Sequence, residues 1–295
     1  MTTVLKAKDG LRARDSGSWG RTKLEFLDYY CPAAIQATER KLHRYYVDLF
    51  AGPGVNVVRG TAAVEYEGSP IKALRYHGQQ RPDLGFTNAV FVNAKHADYE
   101  ALEKRVDKAF AAGGCLIPRG GVSQLNEDAN NAVAGIMRKI PPEAYVLVFA
   151  DMEAPDQWPW ASMKALKEHG HKSVEVYTLF PLDMAIVRLM PYKKDDATLY
   201  ARTLNEYFGT DEWVSLAKRR LTGAQTPQLR RELVELYLRQ LRTLWKHAGE
   251  IADVHLRGDQ GLYKMLFASD HNVGKGIADW IKSNRIAAGQ GDLFG

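Results

Sequence analysis

The chain has 295 residues, with 40 Lys and Arg against 35 Asp and Glu and a net charge of +5. Hydrophobic residues make up 45% and charged residues 25%, which excludes a disordered or fibrous protein. Apolar runs such as 145–150 are strand-sized, far short of the ~20 residues that cross a bilayer. The charged N-terminus has no apolar core, so no signal peptide is expected, and the expected location is the cytoplasm. Cys31 and Cys115 cannot make the spaced pairs of a structural zinc site.

In chain order, residues 1–44 read as an N-terminal helical extension. Apolar, branched and aromatic runs then predict strands at 45–50, 89–92, 115–117, 145–150 and 173–180. Helical spacing predicts helices at 70–79, 99–112, 128–139 and 160–168 between them. Residues 52–69 read as a long loop after the first strand. Strands separated by helices imply a parallel sheet covered on both faces, so 45–191 reads as a Rossmann-like cofactor domain. Residues 192–228 read as a helical or loop insertion. In 229–295 a long helix (229–246) precedes two strand-like runs (251–256 and 262–268) split by a Gly-bearing turn at 257–261, then a helix at 273–282. This end either completes the sheet or forms a winged-helix-like unit. The whole is an α/β order matching the class I methyltransferase sheet, mostly parallel with an antiparallel last strand.

Charge is uneven. Residues 214–295 hold 13 Lys and Arg against 8 Asp and Glu, which accounts for the whole net charge. Arg239, Arg242 and Lys246 fall on one helical face. They are candidates for an anionic partner such as nucleic acid, or form a solvated basic surface.

The strongest local motif is Asp48-Leu-Phe-Ala-Gly-Pro-Gly54, a strand running into a turn with two glycines. Glycine allows positive φ and close backbone approach to a ligand. In doubly wound sheets, ligands sit outside the carboxyl ends of the strands. No G-x-G-x-x-G and no P-loop string is present, which disfavours NAD and nucleoside triphosphates. No zinc-protease or serine-hydrolase motif occurs.

That string resembles the first motif of S-adenosylmethionine-dependent methyltransferases. The resemblance assigns cofactor contacts to Asp48, Phe50, Ala51, Gly52, Pro53 and Gly54, with Asp48 on the methionine amino group. It puts Asn93, where such enzymes carry an acid, at the ribose, and Asp128 at the adenine. Asp128 is equally suited to cap the helix that follows. Asp151-Met-Glu-Ala154 stands where amino-methyltransferases carry Asp/Asn-Pro-Pro-aromatic, so Asp151 and Glu153 are the catalytic candidates. Trp158 and Trp160 are candidate base-stacking residues or packing residues. Lys23 is a candidate for the acceptor side.

Longer strings resemble the three-Cys-motif partner (TcmP) family: 19–30 (WGRTKLEFLDYY), 46–54, Gly68-Ser-Pro70, 179–188 (LFPLDMAIVR), 207–213 (YFGTDEW) and 263–270 (YKMLFASD). The resemblance runs from about residue 19 to residue 283. It implies a methyltransferase-like protein that binds S-adenosylmethionine. It also implies a three-Cys-motif, radical-enzyme-like partner and a setting of DNA modification, repair or defence on mobile elements. Asn93 and Met152–Ala154 depart from the pattern. The alternative reading is therefore a catalytically degenerate fold that docks a partner or binds nucleic acid.

Overall fold

The computed structural model describes residues 5–17, 20–58, 64–190, 200–221, 226–255 and 261–286. In chain order come β1 (Arg14–Asp15), α1 (Gly20–Ala37), β2 (Arg44–Asp48), β3 (Val55–Val58), β4 (Val64–Glu67), α2 (Ser69–Ala73), β5 (Asn88–Val92) and α3 (His96–Ala112). These are followed by β6 (Val122–Leu125), α4 (Ala129–Lys139), β7 (Tyr145–Ala150), α5 (Trp160–Ala165), β8 (Val174–Phe180) and the short α6 (Val187–Leu189). The chain continues with α7 (Ala201–Phe208), α8 (Trp213–Leu221), α9 (Thr226–Leu244), β9 (His247–His255), β10 (Gly261–Ser269) and α10 (Asn272–Ile281).

The central sheet has seven strands in the order β6-β5-β2-β7-β8-β10-β9. Its first five strands in that order are parallel, and β10 lies antiparallel between β8 and β9. This is the α/β, Rossmann-like sheet expected, with the strand order reversing beside β2. Every residue of β7 and β8 is buried, as a strand covered on both faces must be.

One face of the sheet is covered by α1. Its buried residues Phe26, Leu27, Tyr30, Ala34 and Ile35 recur at helical spacing. Phe26 packs on Tyr177 with ring centroids 4.2 Å apart, and Tyr30 on Phe267 at 4.9 Å. Lys23, one turn earlier, is carried by the same helix toward the carboxyl ends of the strands. Between α1 and the sheet lies a buried carboxylate, Glu175. It accepts from Tyr30 Oη (2.5 Å), Tyr145 Oη (2.7 Å) and Ser269 Oγ (2.7 Å). Burial raises its pKa even so.

Several expectations are corrected. The third strand lies at Val122–Leu125, not at 115–117. Gly113 and Gly114 take positive φ there, and Ile117 is buried as a loop residue. Residues 52–69 are not all loop. There β3 and β4 pair antiparallel, and β1 joins β3 to make a second, three-stranded sheet. The N-terminal extension therefore contributes a strand as well as a helix. The helix expected at 70–79 stops at Ala73. Within 192–228, α7 and α8 supply helix, while 191–199 and 222–225 lie outside the described residues. The turn expected at 257–261 falls largely outside them too, as does Trp19. Because β9 and β10 are strands of the central sheet, the basic end completes that sheet instead of forming a winged-helix-like unit.

Among the described residues, no helix is long and apolar enough to cross a membrane.

Candidate functional site

A cavity of about 670 Å³ opens at the carboxyl ends of β2, β5, β6 and β7. That is within the usual range for small-molecule sites. It straddles the point where strand order reverses, the expected ligand position in such sheets. Leu49, Phe50, Gly52 and Pro53 follow β2 (Ala51 turns away from the lining), Val92 ends β5 and Asn93–Lys95 follow it, and Asp128 follows β6, while Asp151, Glu153 and Gln157 follow β7. The rest of the wall is Asp98 of α3, Ala129 of α4 and an N-terminal strap contributing Leu5 and Arg12–Asp15.

The glycine loop shapes the floor. Gly52 takes φ +64°, and a Cβ there would meet only Arg14 Cδ at 3.9 Å among the described residues. Gly54 takes φ +85°, and its Cβ would meet Leu102 Cδ1 at 2.9 Å and Ile71 Cγ1 at 3.2 Å. Gly52 is thus open to the ligand side, whereas Gly54 allows α2 and α3 to close against the loop. Ala51 donates its N–H to Val92 O at 3.1 Å, which ties the loop to β5. Phe50 lines the cavity edge-on to Trp158.

Asp48 does not occupy the place expected of it. It is fully buried and absent from the cavity lining. One oxygen accepts from Ser69 Oγ at 2.6 Å and the other from Phe50 N at 3.3 Å. Burial pushes its pKa up to about 7 despite those bonds, and the Asp151 charge adds to the rise. Its role in this arrangement is to hold the loop and the start of α2.

The acceptor-side candidates form a charge quartet. Arg14 Nη1 donates to Asp151 Oδ2 at 3.0 Å and Arg14 Nη2 to Glu153 Oε1 at 2.8 Å. Lys23 Nζ donates to the same Asp151 Oδ2. The other oxygen, Asp151 Oδ1, is buried without a hydrogen-bond partner among the described residues. Burial lowers the Lys23 pKa, partly offset by Asp151. Arg14 is half-buried, and although desolvation works to lower its pKa, Asp151 and Glu153 hold it above the usual value. The Arg14 charge in turn lowers that of Glu153.

Asn93 lines the cavity and donates Nδ2 to Gly52 O at 3.0 Å, so its amide braces the loop it neighbours. Asp128 lies at the rim and caps α4, accepting from Asn130 N at 2.9 Å. Both sequence readings of Asp128 remain compatible with this position.

The strap is fastened by a buried arginine of α3. Arg105 donates to both Asp9 oxygens at 2.8 Å, to Arg12 O at 2.7 Å and to Pro53 O at 2.5 Å. One guanidinium therefore joins the strap to the glycine loop, in the forked geometry that arginine provides. Arg12 adds a 2.5 Å pair with Asp98.

Other candidates lie elsewhere. Trp158 is fully buried, and Trp160 is buried against Tyr237 and the backbone of Gly209. Neither offers a ring face to a base; both pack the core. Arg239 pairs with Glu212, and Arg242 with Glu235 and Ala248 O. His247, just after Lys246, pairs with Ser269, and Ala268 with Val176 near the start of β8. The basic residues Arg242 and Lys246 are thus at the amino edge of the sheet, roughly 20 Å of strand from the cavity. Together with Lys275 and Asp279 they line a separate 200 Å³ pocket.

Arg12, Arg14 and Arg105 escaped the sequence reading. No local motif marks them, since their side-chain partners lie 86 to 139 residues away. Among the described residues, no cluster of three or more His, Cys, Asp or Glu is placed to hold a metal ion.

No protein-family model and no curated protein matches the chain. Among solved structures, it is similar to a Legionella pneumophila protein of the DUF519 family, at 10% identity over 86% of each chain with a TM-score of 0.47. It is similar to a putative O-methyltransferase from Klebsiella pneumoniae at 10% identity, covering 89% of this chain and 84% of that one, with a TM-score of 0.43. Spermidine synthase from Thermotoga maritima gives 10% identity, 95% and 69% coverage, and a TM-score of 0.43. The fold assignment rests on the strand order itself, which is that of a methyltransferase-like, Rossmann-type sheet.

Proposed function

We propose that the chain binds S-adenosylmethionine in the cavity at the carboxyl ends of β2, β5 and β7 and transfers its methyl group to nucleic acid. The observation that carries this reading is the position of the cavity at the strand-order reversal, over a glycine loop whose Gly52 is open to it. The residues suit the cofactor. Gly52 leaves room for close approach, Asn93 and Asp128 stand at the rim for polar groups, and Asp151 keeps an unpartnered oxygen. When bound, S-adenosylmethionine supplies a methyl group activated by its sulfonium.

The protein's part is positioning. The backbone of Gly52 and Pro53 lines the floor, Phe50 and Val92 give apolar contact, and Asn93 and Asp128 offer hydrogen-bonding groups to ribose and adenine. Nucleic acid as acceptor and a three-Cys-motif protein as partner rest on the sequence resemblance and on the basic C-terminal third.

One observation favours a second reading, a fold that binds without transferring. Asp151 and Glu153 are both committed to cations of the same chain, and one of the two Asn93 amide N–H groups is taken by Gly52 O.

Calorimetric titration with S-adenosylmethionine and S-adenosylhomocysteine separates the cofactor reading from its failure. Micromolar binding of both is expected. Methyl transfer from labelled cofactor to DNA or RNA then tests the acceptor class. Binding without transfer to either would move the protein to the second reading.

A further inference from the structure

The cofactor reading leaves the amino-acid end of the ligand without its expected anchor, because Asp48 is buried beneath the loop with both oxygens engaged. The cavity offers a different one. Arg14 passes over Gly52, its Cδ 3.9 Å from where a Cβ would stand, and ends between Asp151 and Glu153. With Lys23 the group holds two positive and two negative side chains and no net charge.

A neutral quartet of this kind gives little to a lone cation or a lone anion. Either must be desolvated without a surplus of opposite charge to meet it. It is complementary to a ligand group that carries both signs on adjacent atoms. The Arg14 guanidinium has more N–H groups than the two it uses here, and can add a carboxylate. The Asp151 oxygen without a partner is buried, but the side chain of Glu153 is 62% exposed, so an ammonium can join the pair through Glu153.

We infer that Arg14, Asp151 and Glu153, backed by Lys23, form a binding site for an α-amino-acid zwitterion, and that the methionine end of the cofactor is what they hold. The inference rests on the cofactor reading and adds the chemistry of this subsite. It reassigns Asp151 and Glu153 from orienting a methyl acceptor to holding the cofactor. It also makes the strap part of the binding site, since Arg14 stands in β1, paired with β3 at Asn56 and directly after the residues 9–12 that Arg105 seats.

The test compares two ligands that share the sulfur-linked adenosine. S-adenosylhomocysteine has the amino-acid end and 5′-methylthioadenosine lacks it. Calorimetry on wild type is expected to give S-adenosylhomocysteine an advantage of about tenfold or more, the size of hydrogen bonds to charged groups. Arg14→Gln should lose about tenfold for S-adenosylhomocysteine and leave methylthioadenosine within twofold. Glu153→Gln, a change at an exposed side chain that leaves the Lys23–Asp151 pair intact, should give a smaller loss confined to the same ligand.

Equal wild-type affinity for the two ligands, or equal losses for both in either variant, would overturn the zwitterion site while leaving the cofactor reading standing. Wild type that binds neither ligand would overturn both.

Discussion

Gly274, in the first turn of α10, lies where any side chain would run into the Glu175 carboxylate and Ser269 Oγ. Through that close approach the last helix rests directly on the buried acid that also gathers Tyr30 from α1 and Tyr145 from β7. The acid is affordable in the interior because three hydroxyls satisfy it, and the absence of a Cβ at 274 keeps room for the third.

Gly274→Ala is accordingly expected to destabilise the fold by roughly 2–3 kcal/mol. A helical glycine ordinarily gains about 1 kcal/mol on becoming alanine. Gly276, on the same helix with nothing within 4 Å of its Cβ position, should show that ordinary gain. Urea unfolding of the two variants decides the matter; a Gly274→Ala protein as stable as Gly276→Ala would contradict the packing described.

Asp48 predicts a pH dependence. Its folded pKa of about 7 lies above that of an unfolded aspartate, near 4. The folded state therefore holds the proton more tightly, and the contribution to stability is full below pH 4 and lost as pH rises through 7. Between pH 5 and 8, wild type should lose roughly 3 kcal/mol relative to Asp48→Asn, which has no such proton to release. Denaturant midpoints measured across that range check the sign. A stability of wild type relative to Asp48→Asn that stays flat or rises with pH would exclude a protonated Asp48.

The two loop glycines should separate by mechanism. Gly52→Ala faces the left-handed backbone cost alone, about 1–2 kcal/mol, and should weaken S-adenosylhomocysteine binding in a protein that still folds. Gly54→Ala adds a collision with Leu102 and Ile71 and should cost roughly 3 kcal/mol or more. Paired thermal melts and titrations test this. A larger stability loss at 52 than at 54 would reverse the assignment of the two positions.

The basic amino edge should be independent of the cavity. Arg242→Ala with Lys246→Ala is expected to leave S-adenosylhomocysteine affinity unchanged. If this edge carries nucleic acid, the same double variant should reduce retention on a DNA or RNA column and shallow its salt dependence. Unaltered retention would remove Arg242 and Lys246 from the nucleic-acid surface.

How far the sequence was legible depended on the reach of each interaction. β7 and β8 were plain because strands buried on both faces read as unbroken apolar runs. β6 is hard to place from sequence because Ser123 is exposed, the other three residues are only half-buried, and two of the four are polar. The β3–β4 hairpin does not stand out in the sequence because it follows a Gly-Pro-Gly turn and belongs to a separate small sheet. Gly52, Asn93, Asp128 and Asp151 come together at the cavity because each lies within four residues of the end of a strand, and the topology gathers strand ends. The direction of Asp48 and the burial of Trp158 and Trp160 were not readable, since they depend on what packs over them. Arg14 was invisible for a related reason: its meaning comes from Asp151, far along the chain.

The strap has a practical consequence for anyone who handles the protein. Leu5 lines the cavity, so an affinity tag fused ahead of the strap would stand close to a ligand-facing wall. A bulky or histidine-rich leader there competes with the seating of Asp9 and Arg12 on Arg105. Ligand titrations belong on material tagged at the other end or with the leader cut away, and a weak affinity measured with an amino-terminal tag would describe the tag as much as the pocket.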